Sequence, residues 1–192
     1  MAPGLCRWEG YHERLSSVLF SQGGKILNSI NNKTIHCSEC NLTCNTEDLF
    51  TIDNQQVCRR CLFGNGSPVT IYPIGIVNNN LERDQTPFGR KGTDTVSKIE
   101  LLPSQKRFMA GLDQEPEITI VYYLHKSRSV KTFFKRGIDG KQVGVFASRT
   151  PDRLSRIGIQ DVRLLDIKGT TLFVKGLDAV SGTPVLDIKL KI

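Results

Sequence analysis

The chain has 192 residues, of which 39% are apolar and 23% charged, and its formal net charge is +7. This is the balance of a folded domain, neither disordered nor membrane-embedded. No apolar run approaches the roughly 18 residues of a membrane-spanning helix, and the opening MAPGLCRWEGYHE lacks the apolar core of a secretory signal, so the expectation is a cytoplasmic protein.

The elements begin with a helical spacing in the stretch Trp8 to Ile30, where Trp8, Tyr11, Leu15, Val18 and Leu19 recur at intervals of three and four until Gly23 and Gly24 interrupt. Its apolar stripe reads as a docking face. Next come CSEC and CRRC, which place Cys37-x2-Cys40 seventeen residues before Cys58-x2-Cys61. Two such knuckles match a zinc ribbon, because each turn aims two thiolates at one point and together they complete a tetrahedral set. Leu49, Phe50 and Ile52 lie between them and suit a ribbon hairpin. So small a segment buries little core, and bound metal would supply its folding energy. Four protein ligands leave no open position, so the site is structural. Cys44 is an extra thiol that can replace Cys40 in the set, His36 is a further alternative ligand, and Cys6 reads as a free thiol.

The glycine-rich FGNGSP, Phe63 to Pro68, breaks the chain into an N-terminal module (residues 1–66) and a larger domain (residues 67–192). After the break the runs VTIYPIGIV, SKIELL, EITIVYYL, QVGVF, DVRLLDI, TTLFVKGL and PVLDIKL predict short strands separated by turns. IKGTT reads as a hairpin turn between Leu165 and Phe173, and Ser104 to Leu112 as the one helical segment. This pattern predicts a mainly β fold, a barrel or sandwich, with a small N-terminal helix and ribbon attached. The G-x-G-x-x-G nucleotide fingerprint is missing.

Charge is uneven. Residues 1–66 carry six basic and six acidic residues, whereas residues 67–192 carry twenty and thirteen. The excess concentrates between Lys126 and Arg156, with nine basic residues against Asp139 and Asp152. Such a surface attracts anions: phosphate, RNA or an anionic small molecule. Arg128, Lys131, Lys135, Arg136, Arg153 and Arg156 are the candidate RNA-binding residues. Tyr122, Tyr123, Phe133 and Phe134 interleave with the basic residues, and stacking is what recognition of an unpaired base needs beyond charge.

Four blocks taken in order carry a family resemblance: IYPIGIV, GLDQEPEITIVYYLHKS, VGVFASRTPDRLSRIGIQDVRLL and GLDAVSGTPVLDIKLKI. Residues 69–192 resemble the TsaA-like family, whose best-known members are TrmO-type tRNA methyltransferases and whose third block reads GVFATRSPxRPNPIG. The resemblance implies a single-sheet β-barrel that binds S-adenosylmethionine, usually as a homodimer, and methylates N6 of threonylcarbamoyladenosine beside the tRNA anticodon. Carried over by position, the donor site comprises His125, Lys126, Arg149, Ile159, Ser181, Gly182, Thr183 and Pro184, with Phe88, Gly89 and Arg90 at the place of a PRQ-like triplet. Arg149 suits a carboxylate or phosphate, Gly182 a close backbone approach, and Thr183 adds a hydroxyl. His125 and Asp178 are candidates for taking the proton. Where the family reads R-P-N-P-I-G, this chain has Arg153-Leu154-Ser155-Arg156-Ile157-Gly158, a departure that predicts a less rigid loop. The alternatives are a methyltransferase of a protein or small molecule, and a non-catalytic S-adenosylmethionine-binding protein.

Overall fold

The structure is a computed structural model that describes residues 35–81, 94–127 and 130–192. The expected helix in Trp8 to Ile30, Cys6, the triplet Phe88–Gly89–Arg90 and Arg128 lie outside these residues. The chain divides into two compact units, Met1–Asn65 and Gly66–Ile192.

The first unit contains β1 (Ile35–His36) paired with β2 (Thr43–Cys44), the hairpin of β3 (Leu49–Ile52) and β4 (Gln55–Cys58), and the short helix α1 (Arg59–Phe63). Asp53 and Asn54 make the two-residue hairpin turn with φ of 46° and 68°. This is the doubly left-handed conformation that two-residue hairpins select and that short polar side chains tolerate best. Cys37, Val57 and Cys58 are its buried centre, with Leu49, Ile52 and Leu62 against them.

In the second unit six of the described strands close into an antiparallel barrel. They are β5 (Gly75–Asn78), β6 (Val96–Leu101), β7 (Glu117–Tyr123), β10 (Ile157–Lys168), β11 (Thr171–Lys175) and β12 (Pro184–Leu190). Around the barrel the order is β10, β11, β6, β5, β12, β7 and back to β10. Strict alternation sends Ile118, Ile120 and Tyr122 of β7, Ile99 and Leu101 of β6, and Leu172 and Val174 of β11 inward, where they pack on Val77, Val162, Leu177 and Val185. Register shifts between Leu164 and Asp166 and between Val185 and Asp187 let the sheet bend round to close.

One cross-strand pair joins barrel closure to the end of the barrel where the loops gather. Gly158 of β10 lies opposite Tyr122 of β7. A Cβ built on Gly158 would lie 2.5 Å from two carbons of the Tyr122 ring. The ring therefore occupies the place where any other residue would have a side chain.

Several expectations change. The strand expected from Val69 begins only at Gly75, because Pro73 offers no N–H to a ladder and Val69, Ile71 and Tyr72 remain exposed. The segment Ser104 to Leu112 is not α-helical; Pro103–Phe108 and Leu112–Gln114 form short 3-10 turns, with Gly111 left-handed between them. QVGVF is not a barrel strand. Its Gln142–Gly144 forms β9, which pairs with β8 (Phe133–Lys135), a strand the sequence reading did not separate, and the chain then turns through Val145–Ala147.

The Arg-rich turn that follows is held from within. The Arg153 guanidinium donates to the carbonyls of Thr150 (3.0 Å), Val145 (3.3 Å) and Ser148. Leu124 N–H donates to the Arg156 carbonyl at 2.8 Å, which ties the turn to the end of β7. Arg156 itself has φ of +51°. It stands where the family motif has proline, whose ring fixes φ near −65° and cannot take that conformation. The expectation of a loosened loop is thus replaced by a loop on a different backbone path, braced by hydrogen bonds where the motif has prolines.

Gly158→Val should destabilise the barrel by roughly 1–3 kcal/mol, since the new side chain and the Tyr122 ring claim the same volume. Gly158→Val should cost less in a Tyr122→Ala background than in the wild type, so the two substitutions are not additive. Urea denaturation of the single and double variants checks this; a neutral Gly158→Val would refute the packing described.

Candidate functional site

The closing loop, Asp178 to Pro184, runs from the end of β11 into β12, and four polar staples fix its backbone. Gln160 of β10 works in both directions: its Nε2 donates to the Gly176 carbonyl (2.6 Å) and its Oε1 accepts from the Asp178 N–H (2.8 Å). Asn79 donates from Nδ2 to the Ala179 carbonyl and to Ser97 Oγ, both at 2.8 Å, while its Oδ1 accepts from the Leu81 N–H. Val77 receives the Gly182 N–H at 2.8 Å and returns its own N–H to the Thr183 carbonyl at 2.9 Å. The Tyr122 hydroxyl donates to the Asp178 carbonyl at 3.4 Å. Burial, and after it the negative charge of Asp178, push the Tyr122 phenol up to about 12, so it stays protonated and can only donate in this role.

The sequence reading missed Gln160, Asn79 and Tyr122 as parts of the site. The available signal was weak: Ser97 is fully buried where the alternation of β6 calls for an apolar residue, and a buried hydroxyl implies a polar partner.

Against this loop lies His125, just past β7. Its Nδ1 is 3.4 Å from Thr183 Oγ1. Gly182 is left-handed at φ +82°, and a Cβ there would stand 3.8 Å from His125 Nε2. Glycine thus serves twice: it takes a conformation that strains other residues, and it leaves the space beside the imidazole unfilled. Burial, and secondarily the charge of Lys126, hold the imidazole below its ordinary value, so at neutral pH it is an uncharged hydrogen-bond and proton acceptor. The positive charge of Arg149 also acts on the Tyr122 phenol, less than burial and Asp178 do.

His125, Gly182, Thr183, Asp178 and Tyr122 therefore gather at one end of the barrel. Ser181 and Pro184 belong to the same loop: Ser181 N–H donates to the Leu81 carbonyl, and Pro184 pairs with Ile76. Ile159 follows Gly158, pairs with Val121 and is exposed. The cluster offers an uncharged base, a buried hydroxyl and open backbone. Those groups suit a small polar ligand.

The candidate RNA-binding residues divide. Arg153 is the internal brace of its turn. Arg136 is bound by both oxygens of Asp139, and Lys131 lies 3.5 Å from Asp152. Among the described residues Lys135 and Arg156 have no ion pair.

In the first unit the sulfurs of Cys37, Cys40, Cys58 and Cys61 all lie within 4.8 Å of one another. Cys37 to Cys61 and Cys40 to Cys58 are each 3.9 Å. A tetrahedral zinc about 2.3 Å from each thiolate requires sulfurs about 3.8 Å apart, whereas a disulfide requires about 2.05 Å. Backbone N–H groups of Cys40 and Cys58 point at Cys37 Sγ and lower its thiol to about 6, the Cys58 bond measuring 3.3 Å. The hydrogen bond with Cys58, and after it burial, push the Cys61 thiol up. Cys44 turns to the Leu42 carbonyl and His36 to the Asn41 carbonyl, and both stay outside the set.

A family model described as the tRNA-methyltransferase O N-terminal domain matches residues 76–191. A probable S-adenosyl-L-methionine-binding protein of Methanothermobacter thermautotrophicus is 35% identical over 123 residues, which are 63% of this chain and 88% of that protein. A tRNA (adenine(37)-N6)-methyltransferase of Homo sapiens is 33% identical over 84 residues, 42% of this chain and 19% of that protein. The solved structure of TrmO from Pseudomonas aeruginosa superposes with a TM-score of 0.53 at 26% identity, covering 66% of this chain and 57% of that one. The match thus spans most of the archaeal relative but little more than half of the solved TrmO and a fifth of the human protein, and it leaves the cysteine unit uncovered. The barrel, its closing loop and this match over well over half of the chain make the protein a member of the tRNA-methyltransferase O N-terminal domain family, a family of methyltransferases.

Proposed function

We propose that residues 67–192 are an S-adenosylmethionine-dependent methyltransferase domain that methylates N6 of threonylcarbamoyladenosine beside the tRNA anticodon, acting as a homodimer in the cytoplasm. The observation that carries this reading is the packing of His125 onto Gly182 and Thr183 at the braced closing loop, in a chain of this family. The names of two relatives, one a binder of the donor and one an adenine-N6 tRNA methyltransferase, support it.

Bound S-adenosylmethionine supplies a methyl group on an electrophilic sulfonium. The chain's part is to hold and align. Arg149 pairs with the carboxylate of the donor's methionine end, Gly182 admits backbone contact, and Thr183 orients the imidazole. Lys126, Ile159, Ser181 and Pro184 complete the walls, with Phe88, Gly89 and Arg90 assigned by sequence position alone. With the donor held there, it would supply its methyl to N6 and leave as S-adenosylhomocysteine, and His125 would take the N6 proton. His125 is preferred to Asp178 for this step because it is uncharged, half-buried and in contact with the loop.

A non-catalytic donor-binding protein is the second reading, favoured by the changed backbone path at Arg156. Transfer of labelled methyl from S-adenosylmethionine to total RNA, protein and small-molecule extracts in separate reactions distinguishes the two. The RNA reaction should be labelled, and depleting tRNA should remove the label. Arg149→Ala should lower kcat/KM by roughly tenfold to a hundredfold, the scale of one charge-assisted hydrogen-bond pair. Donor binding without transfer to any pool would establish the second reading.

The sign of the pH effect follows from a lowered His125. The unfolded chain takes up that proton near pH 6.5 and the folded chain only below it. The contribution of the uncharged imidazole is therefore complete above about pH 6.5 and is lost as pH falls through the window beneath. The acid limb of kcat should lie in that window, and His125→Gln should lower kcat and flatten the limb. An unchanged limb in His125→Gln assigns the proton elsewhere.

The four-cysteine set is proposed to hold one structural zinc. Elemental analysis should give about one zinc per chain, and Cys37→Ser or Cys58→Ser should abolish it. The cysteine unit should lose its ordered structure while the barrel keeps its thermal transition. Full metal content in both variants would overturn the assignment.

A further inference from the structure

The β8–β9 hairpin has no part in closing the barrel. Its connection, Arg136 to Lys141, is held rigid: the Asp139 carboxylate takes both the Arg136 guanidinium and, at 3.1 Å, the Lys141 N–H. Its base is fastened as well. Lys131 N–H donates to the Asp152 carbonyl at 3.1 Å, the Lys131 ammonium faces the Asp152 carboxylate, and Val145 N–H donates to Thr132. Both acidic residues between Lys126 and Arg156 are therefore engaged in building the arm, and Lys135 and Lys141 have no ion pair among the described residues.

Three large apolar side chains of this arm and of the turn after it are exposed. Phe133 is 60% exposed, Phe146 88% and Ile138 91%. Phe133 and Lys135 share the outward face, while Phe134 and Val143 pair on the other. The residue across from Phe133 is Gly144. That glycine answers no steric demand, since a Cβ there would meet only the Thr132 carbonyl oxygen at 4.0 Å and φ is −59°. It leaves no side chain directly across from Phe133. Aromatic rings standing free beside unpaired lysines form the platform on which unpaired bases stack, with the cations following the phosphates.

We propose that the β8–β9 hairpin is an RNA-stacking arm, in which Phe133 and Phe146 receive unpaired bases of the tRNA anticodon loop while Lys135 and Lys141 contact the adjoining phosphates. This rests on the tRNA reading above and adds the positioning residues for its substrate.

The test uses the full-length protein and a synthetic anticodon stem-loop carrying 2-aminopurine in its loop, read by fluorescence. Wild-type protein should change the 2-aminopurine signal on binding. Phe133→Leu and Phe146→Leu, which keep apolar bulk but cannot stack, should each weaken binding by roughly fivefold to a hundredfold. Phe133→Trp should restore it. Gly144→Val, which places a side chain across from Phe133, should weaken binding without lowering the melting temperature. S-adenosylhomocysteine affinity should stay unchanged in all four variants. If wild type binds and methylates tRNA but the leucine variants bind as well as wild type, the arm is overturned alone. If the leucine variants instead dissociate a dimer in sedimentation, the face belongs to a second copy of the chain and the proposal fails. If wild type neither binds the stem-loop nor transfers methyl to tRNA, the arm and the tRNA reading fail together.

Discussion

The contact between Tyr122 and Gly158 is the constraint on which the barrel end depends. Because Gly158 has no side chain, the Tyr122 ring lies across β10 and seals the join between β7 and β10. The same placement aims the phenol at the Asp178 carbonyl, which fixes the start of the closing loop. β7 is also the strand that pairs with β12 on its other side, so the loop is anchored at both ends to one strand. His125 follows that strand directly and therefore meets Gly182 and Thr183 without any long connection. Fold and site are two consequences of one glycine–tyrosine pair.

The polar staples explain why the site is preorganised. A loop of seven residues that carries small side chains has little apolar area with which to order itself, and its backbone entropy cost is several kcal/mol. Gln160 of β10 and, from β5 and its end, the Val77 backbone and Asn79 satisfy its carbonyls and N–H groups. The Arg-rich turn uses the same device. Arg153 gathers three carbonyls of its own turn.

Much of the fold was legible in the sequence. Alternation in EITIVYYL and TTLFVKGL sends the right residues inward, and the C-x2-C knuckles name the four sulfurs that converge. The family motif placed His125 beside Gly182 and Thr183. What the sequence concealed has physical reasons. Val69 to Ile74 has strand composition but a proline that interrupts the ladder. Pro103 to Phe108 has helix-forming residues but too few of them before Gly111. Gln160 and Asn79 look like surface residues until the loop they hold is seen. The left-handed φ of Arg156 turns a motif departure that read as loosening into a change of path, because no rule of composition reveals which carbonyls an arginine will gather.

The central claim is that the closing loop, His125 and the Arg149 turn form one donor site. Hydrogen–deuterium exchange of the full chain with and without S-adenosylhomocysteine tests it most directly. Protection confined to Asp178–Pro184, His125 and the segment around Arg149, with residues 35–63 unchanged, is the predicted result. Protection elsewhere on the barrel, or none at all at saturating ligand, would contradict the account.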